Sequence, residues 1–306
     1  MTDTADHSTD RRNFFSALIL AMRPRQWAKN VLVFAAPLAA GQLFVPEILL
    51  PSLGAFVAFC FISSATYLIN DVRDIEADRA HPRKSSRPIP AGHLPVPAAI
   101  AAAVVLASAS LVISALISLA LLGVVVAYAV FTLAYSLGLK HEPVIELALL
   151  ALGFLLRAIA GGAASGLPIS QWFLIVAGFG SLFMAAGKRY SELDRFARDG
   201  NESDDSPKRK SLDGYTLGYL RFVWGVAAAV TITSYCLWAF DVAETPSSFP
   251  WAEWSVLPFV LAILRYGVSV DRGAAEAPED TALHDRVLLL LGLAWLILFG
   301  LGALGV

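Results

Sequence analysis

The sequence predicts an all-α polytopic membrane protein that crosses the lipid bilayer about nine times. Hydrophobic residues make up 57% of its 306 residues and charged residues only 16%, whereas soluble domains carry about 25% charged residues. A mean hydropathy of +0.64 is typical of a chain that places most of its surface in lipid. The composition excludes a secreted disulfide scaffold, a nucleic-acid-binding protein and a disordered chain. The cysteines, Cys60 and Cys236, lie in apolar runs and are expected to be unpaired.

Apolar runs separated by charged loops define the predicted spans. Residues 94–139 contain no charged side chain, and as one helix they would extend about 69 Å, against a hydrocarbon core of about 30 Å. They therefore predict two spans with a turn near Ser118 or Gly123. Residues 27–44 form a shorter run that contains Pro37. The remaining runs have at most two charged residues each and begin near Glu47, Pro143, Pro168, Tyr215, Trp251 and Arg286.

Basic residues lie on one side of the predicted bundle. Five precede the first span, five lie between the second and third spans, and seven lie between the sixth and seventh. The alternate connections, around Gln42, Ser118, Ser165 and Thr245, contain none. Because basic loops stay on the cytoplasmic side of a membrane, we expect a plasma-membrane protein whose N-terminus and long loops are cytoplasmic. Residues 1–22 are expected to form a polar tail and an amphipathic helix on the membrane surface, and residues 23–306 a single transmembrane domain.

The first long loop, residues 70–95, places acidic side chains at the end of the second span. An amide and three carboxylates recur at helical spacing and would share one face of a helix. They are Asn70, Asp71, Asp74 and Asp78. Such carboxylates repel each other, and Mg²⁺ neutralises them through oxygen ligands while keeping positions open for phosphates. The alternative is a solvated acidic helix that pairs with Arg73 and Arg79.

Basic residues follow the acidic group in the same loop. Arg83, Lys84 and Arg87 precede Pro88 and Pro90. Two functions fit these cations: salt bridges within the loop, or binding of phosphate oxygens that a metal ion leaves uncovered. The second is favoured by the metal hypothesis, because that hypothesis requires an anionic ligand.

The second long loop, residues 188–213, begins with the sequence KRYSELDRF. Lys188 and Glu192, and Tyr190 and Asp194, are spaced four residues apart, which a surface salt bridge explains as well as a binding site does. The position of the loop in the chain favours a binding site, because the two long loops follow the second and sixth spans and so lie at the same face of the membrane. Two such loops above one bundle would form a two-sided diphosphate site.

Ionisable residues also occur within or beside the spans. Glu146 and Arg157 are 11 residues apart on one face of the fifth span, where such residues either are functional or pair to assemble the bundle. Tyr135 and Lys140 end the fourth span at the face that carries the acidic loop. Lys29 stands at the mouth of the first span, where anchoring by the positive-inside rule is the alternative to a binding function.

The motif NDVRDIEAD, residues 70–78, resembles the NDxxDxxxD motif of the UbiA prenyltransferase superfamily. Members are intramembrane enzymes with two four-helix repeats plus one helix, so the resemblance implies a UbiA-like fold from residue 23 to the C-terminus. The segments RPRQWAKN, RKSSRPIPAG, FLLRAIAGG and GKRYSEL are most similar to members that move a phosphoribosyl group from 5-phosphoribosyl 1-diphosphate to decaprenyl phosphate or another polyprenyl phosphate. This similarity implies a Mg²⁺-dependent transferase that releases diphosphate and supplies a precursor of cell-wall arabinan.

The resemblance also implies functions for individual residues. Asp71, Asp74 and Asp78 would be catalytic and, together with Asn70, would bind Mg²⁺. Basic side chains would bind the phosphates of the donor and the acceptor; they are Lys29, Arg83, Lys84, Arg87, Lys140, Arg157, Lys188 and Arg189. The other substrate-binding candidates are Tyr135, Tyr190 and Glu192, the last two for ribose hydroxyls.

Alternatives remain open at this point. In place of the second acidic motif of aromatic prenyltransferases, residues 188–194 read KRYSELD, with fewer acids and two cations, which suits a substrate with additional phosphates. The alternative within the superfamily is transfer of a prenyl group from a prenyl diphosphate to an aromatic or lipid acceptor. The alternative outside it is a transporter, which is disfavoured because the acids cluster at one face rather than near the midplane. Assembly into a homo-oligomer is also left open.

Overall fold

The computed structural model describes residues 14–82, 84–198, 210–243, 249–275, 281 and 283–305, and their regular secondary structure is helical. In chain order the helices are α1 (residues 14–21), the 3₁₀ helix η1 (Pro24–Phe34), α2 (Ala35–Ala39), α3 (Pro46–Arg73), α4 (Ile75–Arg79), α5 (Val96–Ile117), α6 (Leu119–Leu137), η2 (Leu139–His141), α7 (Ile145–Ser165), α8 (Gln171–Arg198), η3 (Lys210–Gly214), α9 (Leu217–Ala243), α10 (Trp251–Asp271) and α11 (Arg286–Ala303). Within the described ranges, eight of them are long and apolar enough to cross a membrane, namely α3 and α5 to α11. The predicted all-α polytopic class is confirmed.

The first predicted span is not a regular transmembrane α-helix. It consists of η1 and α2, and Pro37 removes one backbone donor from it. Because a 3₁₀ helix rises about 2.0 Å per residue, the 11 residues of η1 and 5 residues of α2 still extend about 30 Å. The ends of this segment lie at opposite ends of the bundle, since Arg23 contacts Asp71 after α3 has crossed and Gly41 packs against the backbone of Ala303 at the end of α11. Within the described residues eight helices have the length and hydropathy of a span, so the exact count of nine is not confirmed.

The turn between the third and fourth predicted spans falls at Ser118, one of the two predicted positions. Its extended backbone (φ −161°, ψ 150°) ends α5 and begins α6. The hydroxyl accepts a hydrogen bond from the backbone N–H of Leu121 at 3.0 Å and donates to the carbonyl of Ala163, in α7, at 2.7 Å. The side chain thus caps α6 and ties the turn to a neighbouring helix.

Helix α7 is central to the packing around the polar end of the bundle. It packs against η1, α2, α3, α6 and α8. A Cβ at Gly161 would overlap the carbonyl oxygen of Val33 and contact the ring of Pro37, so η1 and α2 approach the backbone of α7 closely. Successive long helices run antiparallel, and the loops that carry the acidic and basic motifs therefore share one end of the bundle, which we call the site end.

Helix α1 has one buried face and one exposed face. Ala17 is buried in the same apolar cluster as Ile89 of the first long loop, whereas Phe15 and Ile19 are 59% and 58% exposed. The exposed face described here is apolar, and residues 1–13 of the amphipathic segment expected within residues 1–22 lie outside the described residues. Its placement on a membrane surface stays a prediction.

Candidate active site

The acidic motif lies at the end of α3 and in the short helix α4. Asp74 stands between the two helices with φ −91° and ψ 13°, so the four predicted residues are divided between the end of α3, this break and α4. The carboxylate of Asp74 accepts hydrogen bonds from Asn70 and Lys140, and such side-chain bonds compete with regular helix. Helical spacing nevertheless survives, because the N–H of Asp78 still donates to the carbonyl of Asp74 at 2.7 Å.

Asp71 and Asp78 form a buried pair of carboxylates. They are only 1% and 2% exposed, and one nitrogen of Arg87, Nη1, lies 3.1 Å from Asp71 and 2.6 Å from Asp78. Nη2 of Arg23 adds a contact of 2.5 Å to Asp71, and Nζ of Lys84 lies 3.8 Å from Asp78. Unpaired buried carboxylates would be strongly destabilising, so these three cations explain how the fold accommodates both charges.

Asp74 belongs to a more exposed ion pair. Nζ of Lys140, in η2, lies 3.0 Å from both oxygens of its carboxylate, and Nδ2 of Asn70 donates to the same group at 3.2 Å. The side chains of Lys140 and Asp74 are 23% and 30% exposed. Lys140 therefore ties the connection between α6 and α7 to the acidic motif, in agreement with the expectation that both lie at one face.

The carboxylates fit a divalent cation that shares its coordination with phosphates. Among the described residues no three His, Cys, Asp or Glu side chains are grouped closely enough to hold a metal ion; the predicted set Asn70, Asp71, Asp74 and Asp78 does not form a closed cage. Asp71 and Asp78 can nevertheless contact one cation together, since Nη1 of Arg87 does so. Mg²⁺ is usually bound by one or two carboxylates together with substrate phosphates and water. The pair thus fits Mg²⁺ as part of a metal–phosphate complex.

A second polar group lies between α7 and α8. Glu146 is 0% and Arg189 2% exposed, and Nη2 of Arg189 contacts the Glu146 carboxylate. Nη1 of Arg189 donates to Glu192 at 2.6 Å, and the hydroxyl of Tyr135 lies 3.5 Å from Glu146. The side chain of Glu192 is 19% exposed. A partly open carboxylate therefore lies next to a fully enclosed ion pair, and Tyr135 and Lys140 link this group to Asp74 through the end of α6.

Arg23 reaches the carboxylates from a strained turn. Its backbone is left-handed (φ 56°, ψ 59°), a conformation that non-glycine residues adopt rarely and that persists only where neighbours hold it. Ser64 stabilises this turn: its hydroxyl donates to the carbonyl of Met22 at 2.9 Å and accepts from Nε1 of Trp27 at 3.0 Å. The sequence placed Arg23, with Trp27 and Lys29, at the mouth of the first span but did not predict this contact. The available signal was RPRQW, in which a cation directly precedes proline.

Val144 is a second strained residue at the site end. Its φ of 67° is unusual for a β-branched side chain, and its N–H donates to the hydroxyl of Tyr215 at 2.7 Å. Burial raises the pKa of the Tyr215 hydroxyl. Because Val144 directly precedes α7, this bond fixes the helix start that carries Glu146.

Arg157 does not pair with Glu146, although the two share a helix. Its guanidinium donates to Asn30 at 2.7 Å, to the hydroxyl of Tyr128 at 2.8 Å and to the carbonyl of Gly153 at 2.7 Å. These bonds use three of its five N–H groups and link η1, α6 and α7. Arg157 is therefore first a buried cross-link between helices.

Tyr190 lies in an apolar cluster rather than beside the aspartates. It is 2% exposed, and its hydroxyl accepts from Nη2 of Arg221 at 2.7 Å. Arg221 pairs in turn with Asp271 at 2.9 Å, across α9 and α10. The geometry gives no support to the predicted bond between Tyr190 and a ribose hydroxyl, because the hydroxyl points to a different helix pair.

The remaining predicted cations are Lys29, Lys188 and Arg83. Nζ of Lys29 lies 6.0 Å from the ring centroid of Phe154 in α7. Lys188 is partly buried on α8. Arg83 lies outside the described residues.

These features define a helical membrane protein with paired carboxylates and an excess of basic side chains at one end. The chain belongs to the UbiA prenyltransferase family, whose model matches residues 30–282. It is thus an enzyme of that superfamily, and the resemblance inferred from the NDVRDIEAD motif is confirmed.

Close relatives share almost the whole chain. A decaprenyl-phosphate phosphoribosyltransferase from Corynebacterium glutamicum is 50% identical over 93% of this chain and 86% of its own length. A protein of the same name from Mycobacterium tuberculosis is 49% identical over 94% of each chain. The match therefore extends over most of the length of each relative.

Solved structures confirm the fold. A UbiA homolog from Archaeoglobus fulgidus bound to GPP and Mg²⁺ superimposes with a TM-score of 0.64, covering 95% of this chain and 100% of that one at 16% identity. The structure of a digeranylgeranylglyceryl phosphate synthase gives a TM-score of 0.63 at 18% identity. At this level of identity the likeness establishes the UbiA-like architecture.

Proposed function

We propose that this protein transfers the 5-phosphoribosyl group from 5-phosphoribosyl 1-diphosphate to a polyprenyl phosphate and releases diphosphate. The observation that carries this proposal is the 50% identity, over 93% of the chain, with a decaprenyl-phosphate phosphoribosyltransferase. The site supports it through its charge, because at the acidic motif four basic side chains contact three carboxylates. A donor and an acceptor that together bring several phosphates need such an excess.

In this proposal Asp71 and Asp78 hold Mg²⁺, which, when bound, neutralises charge on the departing diphosphate. Arg87 and Arg23 contact the same carboxylates and are 29% and 27% exposed, so their remaining N–H groups can reach diphosphate oxygens. Lys84 completes this side of the site.

The chain's own task is alignment and charge compensation. The bond between the anomeric carbon and the diphosphate oxygen breaks, and its electron pair leaves with the diphosphate toward Arg87 and Arg23. An oxygen of the polyprenyl phosphate then forms the new bond from the opposite face, with inversion at the anomeric carbon. Since the acceptor phosphate is already an anion, no general base is needed. In this proposal Lys140, which lies beside Asp74, binds that phosphate.

The group between α7 and α8 suits the ribose 5-phosphate end of the donor. Arg189 is held by Glu146 and Glu192, and the partly exposed Glu192 can accept hydrogen bonds from ribose hydroxyls. Tyr135 can donate from the adjoining helix end. Lys29, Lys188 and Arg157 remain candidates for phosphate binding, whereas Tyr190 is not included.

The site end is proposed to face the cytoplasm of a plasma-membrane protein, because the basic loops gather there. A polyprenyl phosphoribose made on that side would enter cell-wall arabinan synthesis. If the site end faces the cytoplasm, the C-terminus lies on the outer side of the membrane, and alkaline phosphatase fused after Val306 should be active. An inactive phosphatase, together with a fluorescent protein that is active when fused at the same position, would show that the orientation is the opposite.

The function is tested by giving the purified protein one of two radiolabelled donors, 5-phosphoribosyl 1-diphosphate or a prenyl diphosphate. Each donor is offered with polyprenyl phosphate and, separately, with an aromatic acceptor. We expect label from the first donor to enter the lipid phase with polyprenyl phosphate. Label from the prenyl diphosphate alone would instead support prenyl transfer.

Asp78→Asn and Glu76→Gln form a matched pair for the metal site. Asp78 is buried and contacts Arg87, whereas Glu76, on the same short helix, is exposed. Asp78→Asn should lower turnover at least about 100-fold, and Glu76→Gln should leave it near normal. Equal turnover in the two variants would refute the assignment of Asp78.

A further inference from the structure

A strained turn joins η2 to α7 at the site end. Val144 has φ 67° and ψ −51°, and the N–H of Ile145 donates to the carbonyl of Pro143 at 2.8 Å. These values describe a γ-turn with positive φ, a rare and strained form that residues with a branched Cβ adopt least readily. The Val144 side chain is 54% exposed, so burial of that side chain does not explain the conformation.

The segment that leads into α9, residues 210–216, stabilises this turn. The hydroxyl of Tyr215 accepts the Val144 N–H at 2.7 Å, and Tyr215 is 5% exposed. In the same segment, a Cβ at Gly214 would overlap the ring of Pro143, so η3 lies directly against the turn. Because an unfavourable backbone conformation persists only where its surroundings fix it, these contacts explain why Val144 keeps its positive φ.

The connection that ends in this turn also carries Lys140. It runs from Gly138 to Val144. At its first residue a positive φ of 153° falls on a glycine, which adopts it at little cost, whereas at its last residue the positive φ falls on a valine. Between them, Nζ of Lys140 lies 3.0 Å from both carboxylate oxygens of Asp74. A shift of the backbone at Val144 would therefore move a cation of the site only four residues away.

We propose that Tyr215 is a positioning residue for Lys140. By holding Val144 in its strained turn, Tyr215 fixes the connection between α6 and α7, and the segment before α9 thereby sets where the Lys140 ammonium group lies. Without the Tyr215 hydroxyl, Val144 relaxes to a negative φ, the connection shifts and Lys140 loses its fixed contact with Asp74. The inference rests on the proposed function for one step, the binding of the acceptor phosphate by Lys140.

The proposal predicts a rescue. Glycine has no Cβ, so the Val144→Gly variant adopts the same positive φ without support from a neighbour. The position of Lys140 should therefore be lost in Tyr215→Phe and regained in the double variant Tyr215→Phe/Val144→Gly. A hydroxyl that contributed only to stability would give no such rescue, because Val144→Gly does not replace the lost hydrogen bond.

Chemical labelling of the Lys140 amine tests the proposal without turnover. The full chain in detergent is treated briefly with acetic anhydride, and acetylation of Lys140 is measured by mass spectrometry. The contact with Asp74 shields the amine, and its loss in Tyr215→Phe should raise the labelling rate about threefold, as expected for an ion pair of moderate strength. The double variant should return to the rate of the unaltered protein.

Tyr219→Phe is the matched control. Tyr219 stacks on Tyr215, with ring centroids 6.0 Å apart, but it is 40% exposed and does not contact the turn at Val144. Its labelling rate at Lys140 should equal that of the unaltered protein. Equal rates in Tyr215→Phe and Tyr219→Phe would overturn the proposal, and so would a double variant that stays as reactive as Tyr215→Phe.

A second variant covers the case in which Tyr215→Phe does not fold. Gly214→Ala displaces the ring of Pro143 from the same side and should also raise the labelling of Lys140; an unchanged rate contradicts the proposal. With both substrates, Tyr215→Phe should raise the KM for polyprenyl phosphate about threefold and leave the KM for the donor near normal, whereas an equal rise in both would contradict the link to Lys140. Labelling needs no substrate, so its failure leaves phosphoribosyl transfer standing, and the expected labelling without that transfer would refute only the proposed function.

Discussion

The buried ion pair between Glu146 and Arg189 provides a quantitative test of the packing of α7 against α8. The two side chains are 0% and 2% exposed, so Glu146→Met leaves a guanidinium almost fully buried. Removing one partner of a buried pair costs about 3–5 kcal/mol. The variant keeps the hydrogen bond from Arg189 to Glu192, so we expect the free energy of unfolding to fall by about 3 kcal/mol, at the lower end of that range. At about 2 °C or more per kcal/mol, the unfolding midpoint should fall by about 6 °C.

A double-mutant cycle separates the ion pair from simple loss of packing. Glu146→Met, Arg189→Met and the double variant keep similar side-chain lengths, and thermal unfolding is followed in detergent at one scan rate because membrane proteins often unfold irreversibly. The double variant should be more stable than the sum of the single losses predicts, by about 2 kcal/mol or more. The exposed pair Arg221–Asp271 is the control and should show much weaker coupling. Additive losses at Glu146 and Arg189 would refute the reasoning.

Two further substitutions test close packing and strain. Gly161→Ala should destabilise the protein, because the added Cβ would overlap the carbonyl oxygen of Val33. Gly225 has open space around it, so Gly225→Ala is the control and should be neutral or stabilising by up to about 1 kcal/mol. A thermal unfolding midpoint that falls equally in both variants would contradict the close contact at Gly161. Tyr215→Phe removes the acceptor of the Val144 N–H and should cost about 1–3 kcal/mol. Since burial raises the pKa of Tyr215 in the folded state, its stabilising contribution is present at neutral pH and is lost as the pH rises through the folded pKa. The loss of stability at alkaline pH should therefore be smaller in Tyr215→Phe, and an unchanged pH profile would contradict the buried environment.

The sequence by itself determined the architecture and the end of the bundle where the chemistry lies. Hydropathy is a local property that each span carries in its own residues, so α3 and α5 to α11 follow from composition alone. The turn at Ser118 is equally local, because a polar hydroxyl interrupts an apolar run that is too long for one crossing. The charge of each loop can likewise be counted from its own residues, and the acidic motif identified the family from the sequence without the structure.

Only the tertiary structure decided which charges meet. Arg23 and Asp71 are 48 residues apart, Lys140 and Asp74 are 66 apart, and Arg189 and Glu146 are 43 apart. No spacing rule encodes such pairs. The spacing of Glu146 and Arg157 predicted a shared face but did not identify the partner of either residue. The direction of the Tyr190 hydroxyl and the 3₁₀ form of the first segment likewise depend on which helices pack beside them. Ion pairs form where backbone packing brings distant side chains within a few ångströms in a poorly solvated space, and that proximity is a property of the assembled bundle.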